Sequence, residues 1–435
     1  MRTNRLGRWL GCGVTLAALG GCSSDTTHTR PPAGTGSSGS VVITGGSTSA
    51  GGSSSTGNGG TGNSVSVTPN GGANGGACQQ AEVVFSPKYP AVFILVDRSG
   101  SMFDQQTDAN GMQYRAWDRL KAATLPVIEQ LQSQVRFGFG AFTGQNGGTC
   151  PDCPTIAPDF NNYAKISELY QPLDKPANTA DKETPTGIVL PKVGDILWAD
   201  PTDGSRYVLF ITDGEPDYCD DGNALCPPDS VVYRLQQLAA GKDSAGMTHD
   251  SIKTFVLGLK ASLSTVSDAS LQAWANAGQG QPVALWGQAA TDPNAMYDQC
   301  NGVAGWKTDF MATGKPAERG QTVGTYSPTG GTAKVYRPDA GDQTTLTNQI
   351  AALVNNVKTC TFDLQGKIKV DLTKQSEGKV TIDGKDVPFD GGAQNGWHMV
   401  TETQLELNGG ACDDWRATGK KIDFDFPCDI IVIIR

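Results

Sequence analysis

The stretch FILVDRSGSM, Phe93 to Met102, decides how this chain is read. Preceded by Ala91-Val92, it is an apolar run of strand length that ends abruptly in Asp97, with Ser99, Gly100 and Ser101 behind it. A run without polar alternation reads as a strand buried on both faces, as in a parallel sheet covered by helices. A carboxylate and two hydroxyls at spacing two then stand where the strand leaves the core. A second run has the same form, Val208-Leu209-Phe210-Ile211-Thr212 followed by Asp213-Gly214-Glu215. Open sheets of this kind bind ligands beyond the carboxyl ends of their strands. Two strands therefore bring carboxylates to one edge.

Outward from these runs, apolar strands alternate with helical patterns. Strands are predicted over Val92 to Val96, Arg136 to Phe142, Tyr207 to Ile211, Lys253 to Leu259 and Lys334-Val335-Tyr336. Helices are predicted near Ala116 to Leu131, Thr186 to Leu197, Ser230 to Ala240, Leu271 to Ala277 and Leu346 to Val357. Such alternation implies an α/β fold, a doubly wound and mostly parallel sheet of Rossmann-like layout with helices on both faces. Two polar stretches, 144–178 and 278–332, read as elaborated loops. After Cys360 the helical period disappears, and residues 360–435 read as a small β-rich module. Its strands are Phe362 to Val370, Val380-Thr381-Ile382, Gln404 to Leu407 and Ile422 to Phe426, with a hairpin signal at Asp383-Gly384.

Hard cations such as Mg²⁺ take oxygen ligands in a compact shell and keep several waters. Asp97, Ser99 and Ser101 on a loop containing Gly100 can offer one carboxylate and two neutral hydroxyls to such an ion. Together with Thr184-Pro185-Thr186-Gly187 and Thr212-Asp213-Gly214, these residues resemble the von Willebrand factor type A (VWA) domain and its metal-ion-dependent adhesion site (MIDAS). The resemblance covers 88–358. It implies that Ser99 and Ser101 coordinate directly, that Asp97 and Asp213 act directly or through water, and that Thr184 joins according to the state of the site. Thr186 is the alternative to Thr184, although a hydroxyl there also suits the start of the next helix. Lys182-Glu183 replace the glycine pair often found before that threonine. Mg²⁺, with Mn²⁺ or Ca²⁺ as substitutes, is the cofactor so implied, and an acidic side chain of a protein partner completes its shell. Against this stand a helix-capping role for Ser99 or Ser101 and a turn role for Asp213.

The N-terminus carries Arg2, Arg5 and Arg8, a short apolar stretch, and then Leu19-Gly20-Gly21-Cys22. This is the layout of a secretory signal, too short to span a bilayer. The block before Cys22 resembles the bacterial lipobox, which implies signal removal over 1–21, lipidation of Cys22, and a place in the cell envelope, at the outer membrane. Residues 22–77 collapse to Gly, Ser, Thr and Asn and read as a flexible tether. With 34 Lys+Arg against 44 Asp+Glu the chain carries a formal charge of -10, which repels phosphate backbones and disfavours nucleic acid as a partner. The lipid anchor is the membrane contact expected.

An exported chain can oxidise its cysteines. Apart from Cys12 and Cys22, nine of the 11 remain, an odd number. Short separations suggest Cys219–Cys226, Cys412–Cys428 and Cys150–Cys153 as pairs. Cys78 and Cys360 flank the α/β region and are candidates to tie its ends, which leaves Cys300 as the odd thiol. Asp217, Asp220 and Asp221 beside Cys219 form an acidic loop that reads as solvated rather than as a second cation site. Only His28, His249 and His398 are present, none in a catalytic motif, so no enzyme is expected. An aspartyl phosphatase would need a second acid two residues after Asp97, where Ser99 stands. Gly138-Phe139-Gly140 lacks the third glycine of a dinucleotide site. Metal-dependent adhesion is the leading expectation, ahead of an envelope scaffold whose site its own loop fills and of a metal-dependent hydrolase.

Overall fold

All seven residues of Ala91–Asp97 are buried, as a strand covered on both faces requires. The computed structural model describes residues 84–144, 151–174, 183–217, 226–261, 264–291, 324–365, 368–418 and 422–433. In chain order the first elements are β1 (Val84–Pro87), β2 (Ala91–Asp97), the short hairpin β3 (Gln106–Thr107) and β4 (Gln113–Tyr114), and α1 (Ala116–Leu131). Then come β5 (Arg136–Phe142), β6 (Thr155–Asp159), α2 (Tyr163–Tyr170), α3 (Thr186–Ala199) and β7 (Arg206–Thr212). The domain continues through α4 (Cys226–Ala239), β8 (Ile252–Gly258), α5 (Asp268–Gln279) and α6 (Gln343–Asn356).

The central sheet has the order β6-β5-β2-β7-β8. Strands β5, β2, β7 and β8 run parallel, and β6 joins the edge antiparallel. The pleat of β2 sends Val92, Ile94 and Val96 into one core with Leu120 and Ile128 of α1 and Leu346, Ile350 and Leu353 of α6. Ala91, Phe93 and Leu95 face the other core, against Val189 and Val193 of α3, Leu235 of α4 and Trp274 of α5. Alternate side chains of one strand thus feed two helical layers. The fold is α/β with a mixed, mostly parallel sheet between them.

Two details of the central sheet depart from expectation. Lys334-Val335-Tyr336 does not form a strand but leaves isolated parallel bridges, Leu257 to Tyr336 and Lys260 to Asp339, because Pro338 cannot donate to a continued ladder. The stretch 144–178 is more than a loop: it holds β6 and α2. Pro158 inside β6 masked the strand in the sequence, yet an edge strand tolerates a proline whose missing donor faces away from the ladder. The glycines of Gly138-Phe139-Gly140 serve packing, since a Cβ on Gly138 would lie 2.7 Å from the Phe93 ring.

Beyond the α/β domain lie β9 (Thr361–Gln365), β10 (Ile368–Val370), β11 (Lys379–Ile382), β12 (Lys385–Val387) and β13 (Gly396–Thr401). They are followed by β14 (Gln404–Asn408), α7 (Gly410–Thr418), β15 (Ile422–Asp425) and β16 (Ile431–Ile433). Small antiparallel sheets form with the orders β1-β9-β14-β13, β12-β11-β15 and β10-β16. They enclose a separate core around Phe362, Trp397, Leu405 and Phe424. The Asp383-Gly384 turn has positive φ at both residues, 48° and 74°, as a tight hairpin demands. Strand β13 and helix α7 were not expected. Nor was β1, which precedes the α/β domain yet pairs with β9, so that the α/β domain is inserted into this module.

Cysteine pairing also differs. Cys360 is bonded to Cys412, with Cα atoms 5.5 Å apart. Cys360 leads into β9 and Cys412 follows β14. These strands are paired, and the Leu407 N–H donates to the Cys360 carbonyl, so the sheet itself brings the two sulfurs together. That replaces both Cys412–Cys428 and Cys78–Cys360. Cys153 is a free thiol, pushed up to about 11 by burial, rather than half of a bridge to Cys150. Cys22, Cys78, Cys150, Cys219 and Cys300 lie outside the described residues, as do the leader 1–21, the tether 22–77 and the bridge expected between Cys219 and Cys226. Among the described residues no helix is long and apolar enough to cross a membrane.

Candidate metal centre

Parallel strands β5, β2 and β7 finish side by side, which fixes where Asp97 and Asp213 stand. Asp97 is the last residue of β2, and Asp213 is the first after β7, the neighbouring strand. Both are fully buried. Behind β2 the chain turns sharply into a single 3-10 turn, Gly100–Phe103. The turn is held because the Ser99 N–H donates to Asp97 Oδ1 at 2.7 Å. Ser99 Oγ lies 3.2 Å from Ser101 Oγ, and Ser101 Oγ donates to Asp213 Oδ1 at 2.8 Å. Ser99 thus links the two carboxylates, its N–H holding Asp97 and its hydroxyl meeting the Ser101 hydroxyl that holds Asp213. Ser99 precedes the turn but makes no side-chain capping bond to it, so its hydroxyl belongs to this link.

Burial and mutual repulsion dominate the electrostatics. Burial raises Asp97 above the ordinary carboxylate range, against the hydrogen bonds from Thr212 and Ser99. Burial, and then the negative charge of Asp97, push Asp213 up to about 7. Two desolvated carboxylates at one edge resist ionising together. None of the ion pairs among the described residues includes either of them. Asp213 Oδ2 is buried and has no hydrogen-bond partner. Among the described residues no cluster of three or more His, Cys, Asp or Glu could hold a metal. The donor set here is instead two carboxylates with neutral hydroxyls, all oxygen, with one buried lone pair unused. That chemistry fits a hard divalent cation better than Zn²⁺ or copper.

Thr184 sits at the same edge, 6% exposed. Backbone pairing of Glu183 with Gly144 ties its segment to the end of β5, and the Asp217 N–H donates to the Thr184 carbonyl at 3.0 Å, tying it to the loop after β7. The segment thus spans the strand ends that flank Asp97. Helix α3 begins at Thr186 with Pro185 before it and no side-chain capping bond. The Thr186 hydroxyl points back to the Thr184 carbonyl at 3.4 Å rather than capping the helix. Lys182, in the position where the resemblance departs from its family, lies outside the described residues, as do Asp220 and Asp221.

Two residues with clear roles had no role in the sequence reading. Thr212 Oγ1 donates to Asp97 Oδ2 at 2.6 Å, so the oxygen left by Ser99 is also held. Glu215 Oε1 accepts from the Ser267 N–H and the Ser270 hydroxyl, both at 2.8 Å, which fastens the loop of Asp213 to the start of α5. A hydroxyl on the final residue of a buried strand, beside an acidic neighbouring strand end, was the signal available for Thr212. For Glu215 there was none, because its partners are some fifty residues downstream.

No family model and no curated protein matches the chain. Among solved structures it is similar to the pilus adhesin SpaC from Lactobacillus rhamnosus GG, in its open conformation, at 15% identity over 78% of this chain and 40% of that one, with a TM-score of 0.34. It is similar to the PilB minor pilin from Streptococcus sanguinis at 12% identity, over 65% of this chain and 66% of that one, with a TM-score of 0.34. The VWA domain of SpRpn10 is matched at 10% identity, over 44% of this chain and 82% of that domain, with a TM-score of 0.30. The chain spans less than half of SpaC, and only 42% of the proximal thread matrix protein 1 from the mussel byssus. At TM-scores of this size the likeness decides nothing about the site.

Proposed function

We propose that this chain is a metal-dependent binding protein of the cell envelope, of the VWA type, anchored through lipid on Cys22. Asp97, Ser99, Ser101, Asp213 and Thr184 would hold one divalent cation, Mg²⁺ in the first instance. The ion supplies a Lewis-acidic position for a carboxylate of a protein partner. The observation that carries this reading is the pair of fully buried carboxylates without a cationic side chain, one of them with an unpartnered oxygen. Thr212 and the Ser99 N–H orient Asp97, and the Ser101 hydroxyl orients Asp213. In this reading the site serves binding rather than turnover.

Calorimetry of Mg²⁺ and Mn²⁺ on the mature chain tests the reading. Saturable one-to-one heat in the wild type, absent in Asp97→Ala, supports it, and equal affinity in both removes the metal from the site. Pull-down from envelope extract with and without chelator then separates adhesion from a scaffold role.

A further inference from the structure

One cavity lies not at the strand ends that carry Asp97 and Asp213 but beside them. About 770 Å³ in volume, it lies between the β3–β4 hairpin, the start of α6 and Arg119 of α1. The bridges of Leu257 to Tyr336 and Lys260 to Asp339 run parallel to β8, so α6 starts at the same sheet edge as Asp97 and Asp213. At ~5 Å per strand, the cavity lies roughly 10–15 Å along that edge.

Its lining is polar and already fixed in place. Arg119 lies over the Tyr114 ring at 5.8 Å and donates to Gln343 Oε1 at 3.4 Å, with Asp108 Oδ2 3.7 Å from its guanidinium. Asp108 Oδ1 is used inside the hairpin, where it accepts from the Asn110 and Met112 N–H groups, both at 2.9 Å. Asp339 spends one oxygen on the Gly341 N–H at 2.8 Å, and Asp342 spends both on Thr345. What remains facing the cavity is a mixture: carboxylate acceptors at Asp108 and Asp339, a guanidinium donor at Arg119, and the amides of Asn110, Gln343 and Asn348, which do both.

That mixture selects a ligand. An acceptor-only anion would face the carboxylates of Asp108 and Asp339, and a donor-only cation would leave the amide donors unmatched. A group that donates and accepts at once suits this lining, and the hydroxyls of a sugar do so around a whole ring. The volume falls in the range of small-molecule sites. Met112, 61% exposed on the hairpin, offers an apolar surface to the C–H face of a ring. We propose that this cavity binds a neutral sugar unit of a glycan, independently of the metal site.

Saturation-transfer NMR on the mature chain, in EDTA so that no metal contributes, tests this with glucose, galactose, mannose, N-acetylglucosamine and their disaccharides. At least one sugar takes up saturation. Asp339→Ala weakens it by about tenfold, the loss of one hydrogen bond to a charged group. Asn348→Trp, at an exposed helix position, fills the cavity and abolishes the signal while thermal unfolding is unchanged; Thr344→Trp, also exposed, gives the same result should the first variant not fold. The proposal is overturned if no sugar in the panel takes up saturation, if the signal survives the tryptophan, or if nonalysine or nonaglutamate binds more tightly than every sugar.

Discussion

The two ends of the central sheet treat buried charge in opposite ways. At the start of the strands, Arg136 of β5 is 2% exposed and is bonded to Asp200, with its other nitrogen donating to the carbonyls of Tyr89 and Asp203. Arg206, which opens β7, donates to the carbonyls of Leu197 and Asp200 and pairs with Asp250 at 3.1 Å. Both guanidiniums there have an opposite charge within the chain. At the finish of the neighbouring strands, Asp97 and Asp213 are equally buried and have hydroxyls, one N–H and each other. The same sheet therefore pairs its buried guanidinium at one end and, among the described residues, sets no cationic side chain in an ion pair with the two carboxylates at the other. This is the pattern expected where stability has been given up locally for a ligand.

The contrast can be broken most forcefully at the self-neutralised end. Asp200→Ala leaves the buried Arg136 guanidinium without its anion and should cost about 3–5 kcal/mol, measured by urea unfolding in saturating Mg²⁺. The same experiment on Asp213→Asn should show the reverse in the absence of metal. Removing one of two repelling carboxylates should stabilise the metal-free chain by about 1–3 kcal/mol above neutral pH, with Mg²⁺ binding lost. A destabilised metal-free Asp213→Asn would mean that the two ends are not opposites.

Mg²⁺ at a hundred times its dissociation constant should stabilise the wild type by about 2.7 kcal/mol and Asp97→Ala not at all, seen as a shift of the thermal transition. The pH dependence has a definite sign. Folded Asp213 holds its proton up to about 7, against an ordinary value of 3.8. The folded state therefore binds the extra proton across that interval, and stability of the metal-free chain falls as pH rises through it. Thermal scans in EDTA from pH 4 to pH 8 should show the decline, with Asp213→Asn flatter. The smallest effect is expected for Ser101→Ala. It removes one hydroxyl link to Asp213 and should change metal-free stability by about 1 kcal/mol while weakening Mg²⁺, with the fold intact by circular dichroism.

Most of this sheet was legible because burial on two faces writes itself as uninterrupted apolar runs. Arg136 to Phe142 and Ala116 to Leu131 coincide with the observed elements, and Asp97 and Asp213 could be placed on one edge from strand ends alone. What escaped depended on distant partners. Val84–Pro87 is too short to announce itself and becomes a strand only because Thr361–Gln365 is there to receive it. Cys360–Cys412 was hidden because separation along the chain, 52 residues, says nothing of the β9–β14 pairing that joins them. Gly410–Thr418 has a single turn's worth of apolar contacts and a glycine start, which obscures a helical period. The contribution of Thr212 depends on the neighbouring strand standing in register with it, and its hydroxyl at the end of a buried run was the one local signal.

The placement of β1 has a mechanical meaning. Tension applied to the chain upstream of Val84 enters a strand clamped sideways by β9, crosses Lys88, Tyr89 and Pro90, and continues along β2 straight to Asp97. Between the point of pull and Asp97 lie β1, paired on one side by β9, and β2, supported on both sides by β5 and β7. A partner gripped at Asp97 would be pulled along the axis of the sheet's middle strand, so that force must shear several parallel ladders together rather than peel helices from the surface one by one.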